Sequence, residues 1–183
     1  MGKRKSAILR ELPAPIKLDL GCGPNKQQGF HGVDARAFTG VDTVADLRQP
    51  WPWGDGTVEE VFSSHFVEHL EQTERVHFFN ELFRVLKVGG KALIITPQWS
   101  NACAYGDPTH KWPPVSEWAM YYWLKSWRDQ NAPHTDYVCD FDVVCGYGID
   151  ARIAGFNQER QMSMLNHSIN AARDIHFTLT KRG

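Results

Sequence analysis

Apolar residues along this chain fall in short runs broken by glycine, proline and polar turns, a rhythm that predicts strands alternating with helices. Ile16-Lys17-Leu18-Asp19-Leu20 reads as a strand that runs into a turn built on Gly21 and Gly23. His31 to Asp34 predicts a second strand ending in a carboxylate, Val41 to Ala45 a short third, and Val58 to Ser64 a fourth. Between 73 and 87 the residues Val76, Phe79, Phe83 and Leu86 recur at helical spacing. Thr73 can cap that helix, and Gly89-Gly90 supplies a left-handed stop. Lys91 to Pro97 follows as a buried fifth strand, and Ser116 to Arg128 has the length of a helix. Thr135 to Val144 alternates as a sixth strand, 158–165 reads as a helix within an insertion over 155–172, and Asp174 to Thr180 closes a sheet. The alternation points to an α/β architecture, whose ligands bind beyond the carboxyl ends of the strands.

Composition narrows the picture. At 183 residues, with 42% hydrophobic and 22% charged residues, the chain fits one globular domain spanning 1–183 with room for a core. A net charge of −1 provides no domain-wide basic field for a nucleic acid. Cys22, Cys103, Cys139 and Cys145 lack Cys-x-x-Cys spacing, so a zinc knuckle or disulfide framework is not expected and a reducing cytoplasm is the default location. No apolar run is long enough to span a bilayer, and residues 1–15 lack the apolar segment of a signal peptide. They read as a solvated basic tail and an extended lead-in through Leu12-Pro13-Ala14-Pro15, with Met1-Gly2 and Ser6 a chance match to a myristoylation pattern.

The glycine turn separates two cofactor classes. A dinucleotide fingerprint needs a third small residue where this chain has Lys26, which disfavours a pyrophosphate and a nicotinamide-linked oxidoreductase. Leu18-Asp19-Leu20-Gly21-Cys22-Gly23 instead resembles motif I of class I methyltransferases that use S-adenosylmethionine. Asn25 stands where many members carry a third glycine, so its side chain is expected to tie the turn. Two further stretches share the resemblance: Ser64-His65-Phe66-Val67-Glu68-His69-Leu70, and Glu81 to Lys91 with Val88 in place of a proline. It spans 16–97 and is similar to the small methyltransferase-11-like subgroup. It implies a three-layer Rossmann-like fold, a mostly parallel seven-stranded sheet with an antiparallel last strand, and helices on both faces.

What the resemblance implies for the site follows residue by residue. Asp19, Gly21, Cys22, Gly23 and Asn25 shape the cofactor turn, Asp34 holds the ribose, Asp46 and Leu47 read the adenine, and Ser64 and His65 border the methionine end. His69 reads as a loop anchor. The product is S-adenosylhomocysteine. Members often carry lid helices ahead of the first strand; with almost none expected here, closure falls to a later insertion, a partner subunit or the substrate. Past the fifth strand, Trp99, Trp112, Trp118, Trp123 and Trp127 crowd an insertion over 98–135. Most of these rings read as core, yet such residues also suit a flat or cationic acceptor. Asp107-Pro108-Thr109-His110 is the acceptor-side candidate, with His110 as base and Asp107 orienting it. No Asp-Pro-Pro-Tyr segment of amino-methylating DNA enzymes follows the fourth strand. The reading favours oxygen or nitrogen of a small molecule and leaves open a nucleic acid or protein acceptor, a homodimer, and a non-catalytic binding module of the same fold.

Overall fold

The computed structural model describes residues 14–183, so the basic tail and nearly all of the lead-in expected over 1–15 lie outside the described residues. Strands β1 (Ile16–Leu20), β2 (His31–Asp34), β3 (Thr43–Val44) and β4 (Val58–Ser64) are followed by helix α1 (Gln72–Val85) and strand β5 (Leu86–Pro97). Then come α2 (Cys103–Gly106), α3 (Ala119–Tyr122), α4 (Lys125–Asn131), β6 (Phe141–Ile149), α5 (Ala151–Ala154), α6 (Gln158–His167) and β7 (Ala172–Lys181). They form a seven-stranded sheet ordered β3-β2-β1-β4-β5-β7-β6. β1 to β5 run parallel, and β7 is antiparallel to both of its neighbours.

One consequence of this topology positions everything functional. The parallel strands all exit at one edge, and the pairing of Pro97 with Asp174 brings the start of the antiparallel β7 to that same edge. Residues after β1, β2, β3, β4 and β5 therefore gather there with Asp174.

Side chains alternate across the sheet as period two requires. Leu18, Val61, Ala92 and Leu179 lie in register on one face, as do Ile94 and Phe177, and all are buried. α1 covers this face with Phe78, Phe79, Leu82 and Val85, each such burial contributing about 1.5–3 kcal/mol. Trp51 and Trp53 are buried beneath the loop before β4, with Trp51 5.3 Å from the Phe78 ring and its indole N–H on the Leu47 carbonyl. Glu81 and Arg84 of α1 clamp that loop: Glu81 accepts the Trp51 amide while Arg84 donates to the carbonyls of Trp51 and Trp53.

Beyond shifts of two residues or fewer, as in β3 and β7, boundaries differ from expectation in four places. Helix α1 starts with a capping box between Glu71 and Glu74, not at Thr73, and ends at Val85, where Leu86 turns extended and begins β5. Gly89-Gly90 is thus no helix stop. Gly89, at φ +76°, sits within β5 where its register with β4 shifts, and a side chain on Gly90 would strike the carbonyls of Lys87 and Glu59. The helix expected over 116–128 is two short ones, α3 and α4. The sixth strand lies at Phe141–Ile149, because 135–140 is held to α1 by Asn80, which bonds the Asp136 carbonyl and the Val138 amide.

Candidate functional site

Beyond β1 the chain makes a turn locked by two carboxylates. Asp34, at the end of β2, accepts the Gly23 amide on one oxygen and the Arg36 amide on the other, both at 2.9 Å. Asp19 is buried in β1 and accepts the Gln27 amide at 2.7 Å; burial raises its pKa against that bond. Gly21 has φ +72°, and a Cβ there would lie 2.4 Å from the Phe66 ring, so only glycine fits. Asn25 is exposed, and among the described residues its side chain makes no hydrogen bond; the carboxylates tie the turn in its stead. The Cys22 thiol points inward, buried, with its pKa pushed up to about 11 by burial. Asp46 follows β3 with its carboxylate bound by the Arg48 guanidinium at 2.8 and 3.0 Å, which lowers its pKa. Leu47 is buried beside it.

The exit of β4 carries the second group. His65 sits at φ +55°, rare for a residue with a side chain, and its amide donates to the Ile95 carbonyl. Its Nδ1 lies 3.2 Å from Glu68 Oε1 and its Nε2 3.7 Å from Asp174 Oδ1. The bond to Glu68 raises the His65 pKa, against the effect of burial. His69 Nδ1 contacts Thr109 Oγ1 at 2.9 Å, and that hydroxyl donates to Asp107 Oδ1 at 2.7 Å. His110 Nδ1 lies 3.1 Å from the Ala104 carbonyl, which can only accept, so Nδ1 holds the proton and Nε2 the lone pair. Asp107 Oδ2 is 3.9 Å from His110 Nε2, beyond hydrogen-bond reach. Asp107 therefore orients Thr109, and Ala104 orients His110. A cavity of about 660 Å³ is lined by His65, Cys103, Asp107, His110, Arg173 and Asp174.

Arg75 fastens this loop. It is 8% exposed, and its guanidinium donates to the carbonyls of Leu70, Lys111 and Pro113. The Lys111 amide in turn donates to the Glu68 carbonyl at 2.8 Å.

A family model described as "Methyltransferase domain" matches residues 18–94. The fold is that of class I methyltransferases, and S-adenosylmethionine is the cofactor of that family. A similar solved structure is a SAM-dependent methyltransferase from Archaeoglobus fulgidus: 19% identity, TM-score 0.67, covering 97% of this chain and 91% of that one. Another is a complex of the Haloferax volcanii Trm112 methyltransferase activator with a putative methyltransferase, at 16% identity and TM-score 0.58, covering 97% and 88% of the two chains. A geranyl diphosphate C-methyltransferase from Streptomyces coelicolor matches at 14% identity and TM-score 0.53, covering 97% and 80%. No curated protein matches by sequence. Among the described residues, no helix is long and apolar enough to cross a membrane.

The turn fits S-adenosylmethionine at two points. Asp34 accepts one backbone bond per oxygen and so keeps lone pairs for hydroxyls, and a Cβ built on Gly23 would meet nothing within 4 Å, leaving open space beside the turn. Asp46 accepts the Arg48 amide and Nε on Oδ1 and Nη2 on Oδ2, so its free lone pair is on Oδ2. Ser64 ends β4 half-buried at the same edge. Glu68 and Asp174 were not singled out from the sequence. Glu68 had a signal, a carboxylate flanked by Val67 and Leu70; Asp174 had none, since only the antiparallel pairing brings it here.

Proposed function

We propose that this chain is an S-adenosylmethionine-dependent methyltransferase acting on oxygen or nitrogen of a small molecule bound in the cavity lined by His65, Asp107, His110 and Asp174. The observation that supports the reading is the shared sheet edge: a carboxylate-locked glycine turn and a cavity lined by His110 lie beyond the same strand ends. When bound, S-adenosylmethionine supplies a methyl group on a sulfonium, which an acceptor lone pair displaces, releasing S-adenosylhomocysteine. Gly21, Cys22, Gly23 and Asn25 form the turn by their backbone, braced by the Asp19 carboxylate; Asp34 orients the ribose; Asp46 and Leu47 face the adenine; Ser64 and His65 border the methionine end. His110 activates the acceptor at Nε2, with Asp107 setting the loop through Thr109.

A cavity rimmed by two imidazoles and two carboxylates suits a polar acceptor of modest size. His110→Ala should lower turnover by roughly 10²-fold, the scale of acid–base assistance, with the calorimetric affinity for S-adenosylmethionine unchanged. Equal loss of turnover and affinity would assign His110 to structure and remove it from the chemistry.

A further inference from the structure

Three side chains beside this cavity, of which His110 is part of its lining, do more than a hydrogen-bond network requires. Glu68, His69 and His110 each place one ligand-capable atom within 4.8 Å of the other two. Glu68 is 4% exposed, its Oε1 meets His65, and its Oε2 is buried with no hydrogen-bond partner. A buried carboxylate oxygen without a partner is costly, and such a group calls for a proton donor or a cation. The two imidazoles point the choice toward a cation. Thr109 Oγ1 spends its proton on Asp107, so it accepts from His69 Nδ1, and the lone pair of His69 is left on Nε2. His110 Nδ1 donates to the Ala104 carbonyl, leaving its own lone pair on Nε2. Each ring is thus held by an outer hydrogen bond in the tautomer a metal ligand needs, one through a carboxylate-backed hydroxyl and one through a backbone carbonyl.

We propose that Glu68, His69 and His110 bind a divalent transition-metal ion of the zinc class, with the adjoining cavity leaving a coordination position open. Two imidazoles and one carboxylate are the donors such borderline ions select over magnesium or calcium. Bonds of about 2.0–2.2 Å put tetrahedral ligand atoms about 3.3–3.6 Å apart, so the three, now within 4.8 Å of one another, must draw in by up to about 1.2–1.5 Å. The two rings already lie edge to face with centroids 4.9 Å apart. The ion's role, though not its site, rests on the acceptor reading above. His110 then activates the acceptor through the ion, which takes an acceptor hydroxyl in its open position and lowers the pKa of that group, whose proton leaves to solvent.

Chelator-treated protein titrated calorimetrically with zinc chloride tests the site without any acceptor. Wild type should bind one zinc per chain, and Cys103→Ser should bind it equally, since that exposed thiol of the cavity wall is outside the ligand set. Glu68→Gln and His69→Ala should each weaken binding at least tenfold, and Thr109→Val, which strips the outer bond from His69, by about tenfold to a hundredfold. Circular dichroism checks folding; if Glu68→Gln misfolds, His69→Ala decides. No saturable one-to-one binding, or affinity unchanged in His69→Ala, overturns the site. Full methyl transfer by protein that binds no zinc would remove the metal and leave the methyltransferase, whereas zinc binding without S-adenosylmethionine binding would do the reverse.

Discussion

At the scale of single residues, Asp34 carries the most weight. Its two oxygens hold the Gly23 and Arg36 amides and so set both the turn and the end of β2 before any ligand arrives. Asp34→Ala should raise the dissociation constant for S-adenosylmethionine by tenfold or more, from charged hydrogen bonds worth roughly 1.5–3 kcal/mol. Asp34→Asn, which keeps an acceptor for Gly23 but not the charge, should fall between. Unchanged affinity in the alanine variant, measured by calorimetry, would sink the ribose assignment. The place of Asp34 at the end of β2, beside the glycine turn, was legible in the sequence. The tie of that turn was not. Asn25 looked suitable by residue type, yet Asp19 and Asp34 are charged acceptors already at the strand ends, and a surface amide has no bond left to supply.

At the scale of elements, strands β1, β2 and β4 were legible because each is a short apolar run ended by turn residues. The helix expected over 116–128 failed for a tertiary reason. Trp123 is buried with its ring 4.1 Å from Phe79 and 5.0 Å from Phe177, and Leu124 is extended so that the indole reaches that place. Helical spacing survives on either side, but burial of one large ring outweighs the few hydrogen bonds of an unbroken helix. The sixth strand was placed several residues early because Gly146 and Gly148 dilute its alternation, while the stretch before it alternates but bonds to Asn80. Arg75 tests how far elements support the site. Its substitution by methionine would strand the carbonyls of Leu70, Lys111 and Pro113 and free the loop that carries His110. Arg75→Met should cost about 2–4 kcal/mol. Calorimetry should then show the melting temperature falling by about 5–15 °C for a domain of this size. Turnover should fall with it while S-adenosylmethionine affinity holds, because the cofactor turn is not among the groups Arg75 touches. A variant as stable as wild type would show that the loop stands without this clamp.

At the scale of the whole molecule, the sheet is covered unequally. The face with Leu18, Val61, Ile94 and Phe177 is buried under α1 and the tryptophan-rich insertion, whereas on the other face Phe62, Leu93, Ile95 and His176 are only half-buried and Val144 is 68% exposed. The reason lies in the connections: 21–30, 35–42 and 45–57 hold no helix. On the proposed reading these same connections wall the cofactor site, so a bound ligand would supply order that helices otherwise provide. Binding to the folded chain alone stabilises by about 2.7 kcal/mol at a ligand concentration one hundred times the dissociation constant. For a domain of 150–250 residues that is a rise in melting temperature of roughly 5–11 °C. Saturating S-adenosylmethionine or S-adenosylhomocysteine should give such a rise, and NAD should give none, since Lys26 occupies the position where a pyrophosphate-binding turn needs a small residue. A shift with NAD alone would overturn the cofactor assignment. Silence with all three ligands would leave the fold without its chemistry and direct the search to a partner that completes the thinly walled site.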